Sequence, residues 1–151
     1  MNKPKQISAV IGIGSAINYT LDVYNEKLTA AQRGFWKNAL DSSGAFYISS
    51  PYLDAAYPFT QELYHSGNEY LIQHCNTSTF MTKKGLSCPV RFLHGDNDDI
   101  VHVEKVYEIA DLLRTEHPGT DITIKLIEGG DHRLSKENEI SAILNTLDEF
   151  V

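Results

Sequence analysis

Apolar residues run almost unbroken over residues 7–16, "ISAVIGIGSA", and the run closes on glycines. That pattern predicts a strand buried on both faces, as in a parallel sheet. Residues 28–40, "LTAAQRGFWKNAL", set Thr29 three residues before Gln32, a capping-box signature for a helix of about ten residues. Residues 44–52, "GAFYISSPY", read as a short strand or extended arm ended by Pro51. Residues 57–74, "YPFTQELYHSGNEYLIQH", read as a second helix, weakened by Gly67 in its middle.

From Cys88 the periodicity is stronger. "CPVRFLH" predicts a strand, and Val106, Ile109, Ala110 and Leu113 then fall at i, i+3, i+4 and i+7, the apolar stripe of an amphipathic helix. Pro118 and Gly119 end that helix, "DITIKLI" alternates as a strand, and "EGGDHRLS" makes a turn. Ile140, Ile143, Leu144 and Leu147 repeat the helical spacing, with Ser135 the expected N-cap and Glu137 and Glu139 suited to a positive helix end. Strand, helix, strand, helix at this spacing predicts an α/β fold built on a parallel sheet. Its strands' carboxyl ends are where such folds place sites.

Composition narrows the class. A chain of 151 residues, 42% hydrophobic and 22% charged, has the length and make-up of one globular domain. A net charge of −7 argues against a nucleic-acid or anionic-membrane partner. Cys75 and Cys88 give neither a disulfide framework nor a zinc spacing; two reduced thiols or one incidental disulfide remain. The first residues, "MNKPKQISAV", hold no apolar signal core, and no stretch reaches membrane-span length. The expectation is a cytoplasmic protein without cofactor.

The candidate chemistry lies in two turns. In "HGDNDDIV", Gly95 lets the chain turn sharply off a strand, Asp98 follows His94 by four residues, and Val101 returns to the core. In "GGDH", His132 stands on the loop after the next strand, 34 residues beyond Asp98, the span of one crossover. An acid that orients an imidazole is the supporting half of a nucleophile–histidine–acid triad. Acid- and glycine-rich strand ends are also common as plain turns, so the pair carries more weight than either motif alone.

These residues resemble the α/β-hydrolase superfamily of serine esterases, thioesterases and peptidases. "HGDNDDIV" is similar to that family's H-G-x-x-D-x-x-V turn and "GGDH" to its histidine turn, which implies Asp98 and His132 as catalytic acid and base. "GDHRLS" and "DNDDIVH" resemble a branch of intracellular acyl-hydrolases that includes mitochondrial acyl-protein thioesterases. "AVIGIGSAINYT" resembles the fold's sixth strand, "NKPKQISAV" the loop before it, and residues 21–75 its helical lid insertion. The implied architecture is the C-terminal part of the fold, with about three parallel strands, flanking helices and the lid.

The family's G-x-S-x-G nucleophile elbow is not in the sequence. Ser15 in "GIGSAI" is the nearest imitation, flanked by Ile13 and Ile17 where the glycines belong. The expectation is a fragment or split enzyme, inactive as this chain alone, acting on a small-molecule or acylated substrate once a serine is supplied. Met1 is then an internal methionine, a misplaced start, or the start of a split or decayed gene. The alternative is a non-catalytic remnant or binding module on the same scaffold. An uncovered strand edge would favour dimerisation, aggregation or an N-terminal partner half.

Other constellations are weaker. Gly12 and Gly14 lack the third glycine of a dinucleotide fingerprint, and "DNDD" lacks the glycine and glutamate of a calcium loop. His94, His102 and His132 have no metal-site spacing, and His94 is expected to brace its turn. Asp99 reads as a solvated neighbour or loop brace, Asp131 and Arg133 as surface ions or modulators of His132. Phe35, Trp36 and Tyr47 read as acyl-pocket lining or as packing.

Overall fold

The computed structural model describes residues 7–38, 44–49, 54–71, 86 and 88–151. The chain divides into two compact units, one of Met1–Ile17 with Thr77–Val151 and one of Asn18–Asn76, within which the 21–75 segment falls. Cys75, Pro51 and the ends of the two helices expected over 28–40 and 57–74 lie outside the described residues.

In chain order the elements are β1 (Val10–Ile13), α1 (Tyr19–Asp22), a π-helical turn (Val23–Lys27), α2 (Ala30–Asn38), β2 (Ala45–Ile48), β3 (Tyr57–Thr60) and α3 (Gln61–Glu69). They continue with β4 (Val90–Gly95), α4 (Val103–Glu116), β5 (Ile122–Ile127) and α5 (Glu137–Leu147), and a short 3₁₀ turn (Asp148–Phe150) follows. In the first unit β4 lies between β1 and β5, parallel to both.

Central placement explains why β4 is apolar nearly throughout. On one face Val90 and Phe92 pack with Val106, Ala110 and Leu113 of α4, supported by Ile109, Ile122 and Ile124. On the other, Leu93 packs with Ile127 and Leu134, backed by Ile11, Ala142 and Ile143. Each fully buried large side chain contributes about 1.5–3 kcal/mol. The expected burial of β1 on both faces does not hold: Val10 is 39% and Ile13 45% exposed. Among the described residues β1 has a strand on one side only, so its other edge carries no strand.

Helix α5 forms where expected but is turned by about one residue. Ile140, Leu144 and Leu147 are exposed, whereas Glu139, Ala142, Ile143 and Thr146 are covered to different degrees, Glu139 and Thr146 completely. Polar contacts decide this. Lys125 on β5 donates to Thr146 Oγ1 at 3.0 Å. The Glu139 carboxylate accepts from the Lys136 backbone N–H at 2.8 Å and from its ammonium at 3.0 Å. That contact puts the N-cap at Lys136 rather than Ser135.

The second unit corrects another expectation. Residues 57–60 form a strand, antiparallel to β2 with Ile48 opposite Tyr57 and Ala45 opposite Thr60. Pro58 and two aromatic residues suit extended backbone better than helix. Thr60 then caps α3, its Oγ1 accepting from Leu63 N–H at 3.1 Å. The Thr29–Gln32 box is present as read, with Gln32 N–H to Thr29 Oγ1 at 3.2 Å and Thr29 N–H to Gln32 Oε1 at 2.8 Å. Gly67 sits where a Cβ would strike the Thr20 side chain. Close packing against α1 thus accounts for a poor helix former in mid-helix.

The last turn is tied to the first unit's sheet by charge. Arg91 on β4 donates to Asp121 at 2.8 Å and to Glu149 at 3.0 Å, Lys125 also donates to Glu149, and the guanidinium lies 5.2 Å from the Phe150 ring centre. Lys125, and then Arg91, hold the Glu149 carboxyl below its ordinary value of 4.5. A depressed folded-state pKa stabilises above the unfolded value and is lost as pH falls through the folded one. Glu149→Gln is therefore expected to melt below the native chain at pH 7, with the gap closing in acid; calorimetry at pH 7 and pH 3 tests it. An equal gap at both would refute it.

Candidate active site

Parallel pairing sets the site. His94 lies opposite Leu126 and Gly95 opposite Ile127, so the turns that follow β4 and β5 leave the sheet side by side at its carboxyl edge. Two backbone bonds and one to a side chain stitch them: Asp96 N–H to Ile127 O at 3.2 Å, Asn97 N–H to Gly130 O at 3.0 Å, and Gly129 N–H to the carboxylate Oδ1 of Asp96 at 2.7 Å. A Cβ on Gly95 would collide with the Gly130 carbonyl and lie 2.8 Å from Asp131 O. The glycines of "HGD" and "GGD" thus answer each other across the two turns.

Asp98 is buried beneath this crossing, its side chain 0% exposed. Its Oδ1 accepts from the N–H groups of Ile100 at 3.0 Å and Val101 at 2.9 Å, which fixes the plane of the carboxylate. Its Oδ2 accepts from His132 Nδ1 at 2.9 Å. A carboxylate only accepts, so Nδ1 carries the hydrogen, and the neutral imidazole then holds its lone pair on Nε2. The His132 side chain is 30% exposed, the partial access that proton transfer requires.

Gly14 borders His132. With φ of 53° it takes a left-handed turn off β1, its N–H donating to Leu93 O at 3.0 Å. A Cβ there would lie 3.2 Å from His132 Nδ1 and 3.3 Å from Cε1. Beyond the histidine, Asp131 Oδ1 accepts from the N–H groups of Arg133 at 2.9 Å and Leu134 at 3.2 Å. Leu134, at φ 45°, is driven into the core against Gly130. Asp131 is therefore a turn brace rather than a surface ion.

Of the remaining sequence candidates, His94 is buried at the end of β4, while Asp99, His102 and Arg133 are exposed. No group of three or more His, Cys, Asp or Glu able to hold a metal occurs among the described residues. The Ser15 hydroxyl folds back over Gly12, beside the Phe92 ring. In the second unit Phe35 is exposed and meets Phe46 edge-on at 6.1 Å, and Tyr47 is exposed. The Trp36 side chain lies outside the described residues. Sequence reading gave Gly14 and Asp131 other roles and did not single out Asp96; their roles depend on contacts between turns, and the glycine pairs are the trace those contacts leave.

Comparison with known proteins follows the same lines. A family model, the prolyl oligopeptidase family, matches residues 25–151. Among curated proteins, the mouse palmitoyl-protein thioesterase ABHD10, mitochondrial, is 26% identical over 149 residues, 99% of this chain and 45% of that protein. The human form is 25% identical over 154 residues, 44% of its length. Among solved structures, a hydrolase from Agrobacterium vitis S4 superposes with a TM-score of 0.72 at 26% identity, over 97% of this chain and 50% of that one. Mouse alpha/beta hydrolase domain-containing protein 10 gives 0.70 at 22% identity, over 97% and 52%. The chain spans about half the length of the relatives it matches.

Proposed function

This chain belongs to the prolyl oligopeptidase family of α/β-hydrolases and holds part of that fold, and we propose that it contributes the acid and base of a serine-dependent acyl hydrolase. The observation that carries the reading is the 2.9 Å bond from His132 Nδ1 to a fully buried Asp98 carboxylate at the carboxyl ends of adjacent parallel strands. In this reading the nucleophilic serine comes from a segment outside the 151 residues, which hold no G-x-S-x-G.

The chemistry follows from the geometry. His132 Nε2 takes the serine proton as Oγ bonds to the acyl carbonyl carbon, and the Asp98 charge stabilises the imidazolium that forms. The imidazolium then protonates the departing thiolate or alkoxide as its bond to the acyl carbon breaks. Water repeats the sequence on the acyl-serine, releasing the carboxylic acid and restoring both groups. The names of the curated relatives favour a long-chain acyl thioester as substrate. The segment supplying serine would dock at β1, whose second edge bonds no strand among the described residues. A cytoplasmic setting remains part of this proposal, although those relatives are named as mitochondrial; no helix among the described residues is long and apolar enough to cross a membrane.

The second reading, a binding module without chemistry, draws on the missing elbow and on the Ser15 hydroxyl folded over Gly12. A fluorophosphonate probe separates the two. The chain alone should stay unlabelled. The chain co-expressed with the upstream reading frame should be labelled on the partner and hydrolyse a palmitoyl thioester, with His132→Ala lowering kcat/KM by about 10³-fold or more. Labelling of the chain alone would place a nucleophile within it; no labelling in either case would favour the binding module.

A further inference from the structure

His94 is 0% exposed at the end of β4, and its surroundings give it one defined state. Its Nε2 lies 2.8 Å from Val101 O, and a carbonyl oxygen only accepts, so Nε2 carries a hydrogen. Its Nδ1 is buried with no hydrogen-bond partner among the described residues. A hydrogen there would be an unsatisfied buried donor and would put a charge inside the core, so Nδ1 holds a lone pair and the ring is neutral. The same Nε2 stands 3.4 Å from Asp98 Oδ2, the oxygen that His132 engages.

We propose that His94 is a positioning residue for the acid, holding the Asp98 carboxylate so that Oδ2 faces His132. Two routes converge on this. His94 anchors the Val101 carbonyl, and the N–H of that residue binds Asp98 Oδ1 at 2.9 Å. His94 also flanks Oδ2 directly, opposing rotation of the carboxylate away from His132. Neutrality matters here. A cation at this position would neutralise Asp98 and weaken its hold on the imidazolium, whereas a neutral ring that spends its one N–H on the Val101 carbonyl leaves the carboxylate's charge for His132.

The inference rests on the reading of Asp98 and His132 as a pair, and the test keeps the two apart. The readout is the His132 Nδ1–H proton resonance in the ¹⁵N-labelled chain, with its exchange rate against water and a thermal melt as the control for folding. Asp98→Asn should abolish the protected signal. His94→Leu should retain the fold yet accelerate exchange by about tenfold or more, because the acceptor is no longer held in place. His94→Gln, which keeps a donor, should restore most of the protection. If His94→Leu does not fold, His94→Asn, too short to span to Val101, takes its place. Unchanged exchange in folded His94→Leu, or in His94→Asn in its place, would overturn the positioning role, and an unchanged signal in Asp98→Asn would overturn the pair itself.

Discussion

Asp98→Ala is expected to lower the free energy of unfolding by about 2–5 kcal/mol. The substitution removes the acceptor of two backbone donors, Ile100 N–H and Val101 N–H, and the partner of His132. Each donor left unsatisfied inside the fold costs about 1–3 kcal/mol, and burial at this position leaves little water to compensate. Asp98→Asn should behave differently. Its amide oxygen can still serve both backbone donors, so the loss of stability should be less than half that of alanine. Its nitrogen, however, would face His132 Nδ1 donor to donor and would favour the opposite tautomer. In an assembled enzyme both variants should lower kcat/KM by about 10³–10⁴-fold. Urea denaturation of the two variants checks the first contrast. Equal losses for Ala and Asn would mean that the charge, rather than the backbone acceptor, holds the turn.

A second large effect is expected at Gly95. An alanine methyl there would overlap the Gly130 carbonyl, a backbone group held in place because Gly130 N–H bonds Ile127 O and Gly130 O receives Asn97 N–H. No side-chain rotation relieves the clash, so the turns must separate, at about 3 kcal/mol or more. Separation also pulls His132 away from Asp98, so the chain should lose the bonded His132 proton signal along with its stability. Gly119→Ala is the contrast. That residue has φ of 89° but open space around its Cβ position, leaving only the left-handed backbone penalty of about 1–2 kcal/mol. A loss at Gly95 no larger than that at Gly119 would refute the clash, because Gly95, unlike Gly119, has no positive φ to account for a penalty.

Much of this was visible in the residue order because local pattern and tertiary environment agree there. β4, α4 and β5 show through because β4 is covered on both faces and α4 presents a single stripe, Val106, Ile109, Ala110 and Leu113, to one of them. Asp98 and His132 show through because sharp turns at strand ends need glycine and leave short motifs behind. The facing of α5 did not. Ile140, Ile143, Leu144 and Leu147 have the spacing of a core stripe, and so do Glu139, Ala142, Ile143 and Thr146. Hydrophobicity favours the first set, but Lys125 and Lys136 secure the second through Thr146 and Glu139, contacts that periodicity does not contain. Residues 57–60 misled because they run directly into a helix: Tyr57 and Phe59 are two apart, the spacing of a strand, and Pro58 with the cap at Thr60 places the boundary at Gln61.

The contacts described around Asp98 and His132 come from Gly14, His94, Ile100, Val101 and the turns after β4 and β5, all within the first compact unit. Residues 18–76 form their own apolar centre on Val23, Leu28 and Phe59. Insertions, deletions or recombination in that stretch would therefore fall in one compact unit, while the hydrogen bonds described around Asp98 lie in the other. If the proposed roles of Asp98 and His132 hold, a lineage built this way could vary its inserted unit without relearning how to move a proton, and grafting a foreign segment in place of residues 18–76 would put that to use.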